Sequence, residues 1–215
     1  MRLLGLVLAF CLALPPTAQA AAPAPLGGGS VLQSGASSRC TAGFAAVSGN
    51  VGYLIASSAC GRPGDTIRSA GRVVGVVAAA QIPPTGAIVI RVTNTTDWRL
   101  VASIPPVDSR VTIGGAVEAP VGASVCKYGS TTGWRCGTIL AKNVSITFPE
   151  GTLTGLTRTS VCAEPGDNGG PFVSGTQAQG VLIGGSGNCS SGGSTYFLPV
   201  NRVLSAYRLT ILAGT

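Results

Sequence analysis

Clusters of Gly, Pro, Ser and Asn interrupt this chain so often that little besides strands fits between them. Strand-length segments recur roughly every 8–12 residues, the spacing of a sandwich or barrel. They include 43–47, 51–56, 72–79, 87–93, 137–144, 172–174 and 178–183. Gly, Ser, Thr and Val abound, whereas the Leu-, Lys- and Glu-rich stretches of helical proteins are missing. Only 200–207 has helical spacing, with Val200, Val203, Leu204 and Tyr207 on one face. A loop with Pro105 and Pro106 divides the chain near its middle. The reading is all-β with one terminal helix; periodicity alone does not choose the β architecture.

Residues 1–20 read as a secretory leader: Arg2 supplies charge, 3–14 an apolar core, and Ala18-Gln19-Ala20 a small-residue cleavage site. The apolar run is shorter than the roughly 20 residues a membrane span needs. The expected mature chain is exported and monomeric, begins near Ala21, and opens with a flexible Ala/Pro/Gly lead-in over 21–29. Losing the leader removes Cys11 and leaves Cys40, Cys60, Cys126, Cys136, Cys162 and Cys189. An even count in an exported chain predicts disulfides, and the clustering favours neighbours: 40–60, 126–136 and 162–189. Without a Cys-x-x-Cys, and with no histidine in the sequence, no metal site or other cofactor is expected. The net charge of +7 comes from scattered residues, twelve of the fourteen basic ones being Arg. No basic run is interleaved with aromatics, which argues against nucleic-acid binding.

Residues 162–207, which open Cys162-Ala163-Glu164-Pro165-Gly166-Asp167-Asn168-Gly169-Gly170, resemble the second half of the streptogrisins and α-lytic protease, the bacterial branch of the chymotrypsin-like serine proteases. The segment 126–137 (CKYGSTTGWRCG) is similar to the family's Cys-Arg-x-Gly-x-Thr-Thr-Gly-x-x-Cys-Gly loop. Residues 39–44 and 91–94 resemble two first-half strands. The resemblance implies two six-stranded antiparallel β-barrels, here 30–108 and 109–215, with a cleft between them. It implies the same three disulfides.

Position by position, the resemblance places Asn168 where the family has its nucleophilic serine. Ala59 falls at the histidine and, by counting back from Asn94, Gly86 at the aspartate. A serine that serves the aspartate becomes Ile183. The family's Arg–Asp pair becomes Lys127–Asp167, with a less rigid cation because Lys lacks the planar guanidinium fork. The backbone amides of Gly166 and Asn168 fall where the oxyanion hole lies, which needs no side chain. Ala163, Glu164 and Pro165 match a wall of the specificity pocket. Gly184 and Gly185 match the strand that pairs with an extended peptide.

An asparagine is a poor nucleophile, and no imidazole is available as a base. The expectation is therefore a catalytically inactive protease homologue, secreted or in the cell envelope, that binds an extended peptide or protein or serves as a scaffold. Two alternatives stand beside it. One is a serine-type endopeptidase-like hydrolase with a rearranged or residual mechanism. The other is a structural envelope protein with a blocked cleft.

Overall fold

The computed structural model describes residues 21–35, 38–81, 86–148 and 151–214. The expected leader, with Cys11, lies outside them. The first half supplies seven strands of one eight-stranded hydrogen-bonded sheet, and the end of the chain supplies the eighth. Its order is Thr210–Ile211, Phe44–Ser48, Val51–Ser57, Ala87–Val92, Arg72–Gln81, Thr66–Ser69, Val31–Ser34 and Ser38–Thr41. The second half is a closed six-stranded barrel of Ser124–Gly129, Gly133–Phe148, Gly151–Thr159, Gly192–Pro199, Gln177–Asn188 and Pro171–Ser174, each pair antiparallel. This is the expected all-β fold, and the helix Val200–Tyr207 is where the apolar spacing puts it. Beyond the helix the chain returns to the first sheet, pairing Thr210 with Val47 and Ile211 with Ala46.

Side-chain alternation sorts the first-half strands between two cores. Successive residues of a strand point to opposite faces. Ile88 and Ile90 thus enter the core of the first half with Leu32, Leu54 and Ile67. Ala87 and Val89 face a second core, shared with Leu153, Leu156, Val181 and Leu198 of the barrel. Phe44 and Ala46 join that shared core while Ala45 points the other way. A fully buried Phe, Ile or Leu contributes about 1.5–3 kcal/mol, so this shared core welds the halves. A third core, with Val125, Ile139, Phe172 and Phe197, fills the barrel itself. The disulfides are Cys40–Cys60, Cys126–Cys136 and Cys162–Cys189.

Two strands outrun their sequence signals. The segment expected at 137–144 is part of a 16-residue strand, Gly133–Phe148, whose register shifts at bulges. The segment expected at 178–183 continues to Asn188 through Gly184-Gly185-Ser186-Gly187, which reads locally as a turn. Pairing with Gly192–Pro199 holds it extended.

Candidate active site

The turn after Cys162 is organised from inside by Asp167. Its carboxylate is fully buried and accepts five hydrogen bonds. Lys127 Nζ (2.8 Å), Thr132 Oγ1 (2.7 Å) and the Glu164 N–H (3.1 Å) reach Oδ2; the Thr131 and Thr132 N–H groups reach Oδ1 at 3.0 and 3.2 Å. Lys127 is equally buried and also donates to Thr132 Oγ1 at 3.0 Å. Burial pushes the Asp167 carboxyl up, but the hydrogen bonds from Lys127 and Thr132 outweigh it and hold the group below the ordinary 3.8. Burial likewise lowers Lys127, and Asp167 offsets this in part. Gly129 is required alongside, because a Cβ there would overlap the Asp167 carboxylate.

The same turn is tied down from outside. Thr41 Oγ1 donates to the Gly166 carbonyl (2.9 Å) and accepts from the Ser130 N–H (3.0 Å). The Thr41 N–H reaches the Asn168 carbonyl at 2.9 Å, and Thr131 Oγ1 holds the Pro165 carbonyl at 2.8 Å. Within the turn the Asp167, Gly169 and Gly170 amides donate to the carbonyls of Glu164, Leu182 and Asp167. The amides of Gly166 and Asn168 have no acceptor among the described residues. Two uncommitted donors, two residues apart in a stretch whose other N–H groups from Glu164 to Gly170 are bonded, are what oxyanion stabilisation needs. In the sequence, Thr41, Ser130, Thr131 and Thr132 carry no sign of this bracing role; the Ser-Thr-Thr run marks only the family resemblance.

The other positions converge on this turn. Ala59 is exposed on the one-turn 3-10 helix Ser58–Cys60, where its N–H donates to Ser57 Oγ at 3.2 Å. The Ser58 N–H donates to the Gly86 carbonyl at 3.0 Å. Gly86 is buried with φ +60°, and Leu153 from the second half fills the space a side chain there would take. Gly169 (φ +86°) leaves no room for a Cβ between Thr41 and the Ser57–Cys60 turn, so the Asn168 and Ala59 segments lie in contact.

The strand beyond Leu182 presents a free edge. Ile183 is the extra residue of a bulge, half-buried against the shared core. After it, Gly184 and Gly185 pair only with Tyr196 and Thr195, since pairing with Pro171–Ser174 ends at Val181. A bulge next to an unpaired edge suits addition of an extended peptide. A side chain at Gly184 would meet no atom within 4 Å, so nothing crowds that point. Ala163 and Glu164 are half-buried and Pro165 exposed, and Glu164 Oε1 is engaged with the Cys189 N–H at 2.9 Å.

An eight-stranded sheet and a closed barrel, welded by a shared core and meeting at a braced Gly-Asp-Asn-Gly-Gly turn, define the chymotrypsin-like protease fold. The Trypsin family profile matches residues 86–206, and the chain belongs to this family. Streptogrisin-C of Streptomyces griseus is 46% identical over 200 residues, covering 91% of this chain and 43% of that protein. Streptogrisin-A of the same organism is 35% identical, covering 87% and 61%. The chain spans about half the length of these curated relatives. Thermobifida fusca Protease A superposes with a TM-score of 0.81 at 40% identity, over 89% of this chain and 100% of that one. Cellulomonas bogoriensis chymotrypsin gives 0.79 at 44%, over 88% and 100%.

These relatives correct the expectation of a non-enzymatic homologue. Proteins 40–46% identical over most of the chain are serine proteases, which points to an enzyme and to the hydrolase alternative. The physical reason is that side chains at three positions are not the whole of the catalytic apparatus. Catalysis on this fold also rests on oxyanion donors and substrate positioning, which by themselves leave roughly 10³–10⁴-fold acceleration over water when a triad member is removed.

Proposed function

We propose that the protein is a secreted hydrolase of extended peptides, of the serine endopeptidase class, working by a residual mechanism. In this reading Ala59, Gly86 and Asn168 occupy the positions of the family's triad, so water attacks in place of a side chain. A peptide adds to the free edge at Gly184 and Gly185, with its scissile carbonyl at the turn. Water adds to the carbonyl carbon, and the resulting oxyanion is stabilised by the N–H groups of Gly166 and Asn168. Collapse breaks the C–N bond, and the leaving amine takes the proton given up by the attacking water. The observation that carries this reading is the pair of uncommitted amides in a turn held by five hydrogen bonds to one buried carboxylate. Three disulfides fit export to an oxidising compartment. Among the described residues no helix is long and apolar enough to cross a membrane, which leaves strands aside.

The test is hydrolysis of a panel of peptide amides and activated peptide esters, followed by mass spectrometry. Cleavage about 10³–10⁴-fold above the solvent rate, unaffected by a fluorophosphonate, is expected. No cleavage above the solvent rate, or complete loss with the fluorophosphonate, overturns the mechanism.

A further inference from the structure

Three barrel strands carry a row of residues away from the free edge. Across the antiparallel pairs, Gly184 stands opposite Tyr196, Tyr196 opposite Arg158, and Arg158 opposite Ala141. Directly opposed residues share a face of the sheet. The alternate row, Gly185, Thr195 and Thr159, points into the barrel: Thr159 and Thr195 are buried, with their hydroxyls 2.7 Å apart. Gly184, Tyr196 and Arg158 therefore face outward, and Tyr196 packs against the shared core.

Both polar groups of this row are uncommitted. Arg158 is exposed, and its guanidinium makes no hydrogen bond or ion pair among the described residues. Tyr196 is half-buried, and its hydroxyl reaches solvent with no partner among them. The described carboxylates of the barrel are engaged elsewhere: Asp167 with Lys127, Glu118 with Lys142, and Glu164 with the Cys189 N–H. Gly184 puts no side chain in front of these donors, and a Cβ there would meet no atom within 4 Å. A guanidinium and a phenol hydroxyl are donors suited to a carboxylate, the guanidinium through two parallel hydrogen bonds. A strand added at the Gly184 edge lies three strand spacings from Arg158, about 14 Å. An extended arginine and an extended glutamate, reaching toward each other over the bare glycine and past Tyr196, close that gap. Side chains alternate along the added strand, so only residues facing this row can do so.

Resting on the reading that peptides add at this edge, we propose that Arg158 and Tyr196 select an acidic side chain on the substrate. It stands at the position facing Gly184, not at the residue whose carbonyl is cut. Labelled peptides in which a single Glu or Gln is moved along the chain test this by fluorescence anisotropy, with mass spectrometry of the same samples recording cleavage. Glu should bind about five- to tenfold tighter than Gln at one position, or at alternate ones, with no gain at the neighbours between. Arg158→Gln should abolish that gain, Arg158→Glu should transfer it to Lys at the same position, and Tyr196→Phe should reduce it about two- to threefold, with melting curves confirming the fold. This pattern without cleavage supports the selection and overturns the hydrolytic mechanism alone. Peptide binding with no Glu preference, a preference confined to the cut residue, or one unchanged in Arg158→Gln overturns the proposal whether or not the peptides are cleaved. If no peptide binds, the edge is not a peptide site and the proposal falls with it.

Discussion

Lys127 Nζ stands 2.8 Å from Asp167 Oδ2, and neither side chain reaches solvent. Desolvating both ions is costly, so such a pair is a weak source of stability, but breaking it leaves an uncompensated buried charge. Its effect here is conformational: the carboxylate gathers the amides of residues 131, 132 and 164 and so shapes the turn that presents Gly166 and Asn168.

Lys127→Met should therefore destabilise the fold by about 3–5 kcal/mol. Urea unfolding followed by fluorescence measures this; a loss below about 1 kcal/mol would show that the pair is not what braces the turn.

Acid should act through the same group. The folded-state pKa of Asp167 lies below the ordinary 3.8, so between the two values the unfolded chain holds more protons and stability declines as pH is lowered. This contribution is fully present above the ordinary carboxylate range and is lost as pH drops through the lowered value. Melting temperatures across acid pH, compared with those of Asp167→Asn, should show a steeper decline for the unaltered protein.

Asn168 is predicted to act through its backbone. Asn168→Ala should keep hydrolysis within a few-fold, while Asn168→Pro, which removes the free N–H, should lower kcat by about 10²–10³. Comparable kcat values for the two variants would exclude this amide as an oxyanion donor.

Gly86→Asp is expected to destabilise, not to restore an acid. The residue has φ +60° and Leu153 fills the adjoining space, so the cost should be about 1–3 kcal/mol by denaturant titration. A shift within about 0.5 kcal/mol would show that Leu153 yields readily.

Removing Cys162–Cys189 by paired alanine substitution should cost about 2–4 kcal/mol, because the bond spans 27 residues and anchors the start of the turn. Thermal unfolding of the double variant measures it.

Much of the fold was legible in local patterns. Clusters of Gly, Pro, Ser and Asn at regular spacing marked the strands that divide their side chains between two cores, and one apolar face marked the helix Val200–Tyr207. The Thr- and Gly-rich strands Gly151–Thr159 and Gly192–Pro199 gave no such signal, because neighbouring strands hold them extended. In the candidate site, Asp167, Lys127, Gly166 and Asn168 could be picked out by motif. The part played by Thr41 could not, since it lies 125 residues from the carbonyl it bonds.

By itself the sequence determined the strand periodicity, the kinship of the Gly-Asp-Asn-Gly-Gly segment, and the want of an imidazole. These are properties of residue identity and short-range spacing. Tertiary structure alone decided which amides stay uncommitted, which strand edge stays open, and where Leu153 fills the space beside Gly86. Those depend on contacts between distant segments, and hydrogen bonds satisfied across such distances leave no periodic trace in the chain that makes them.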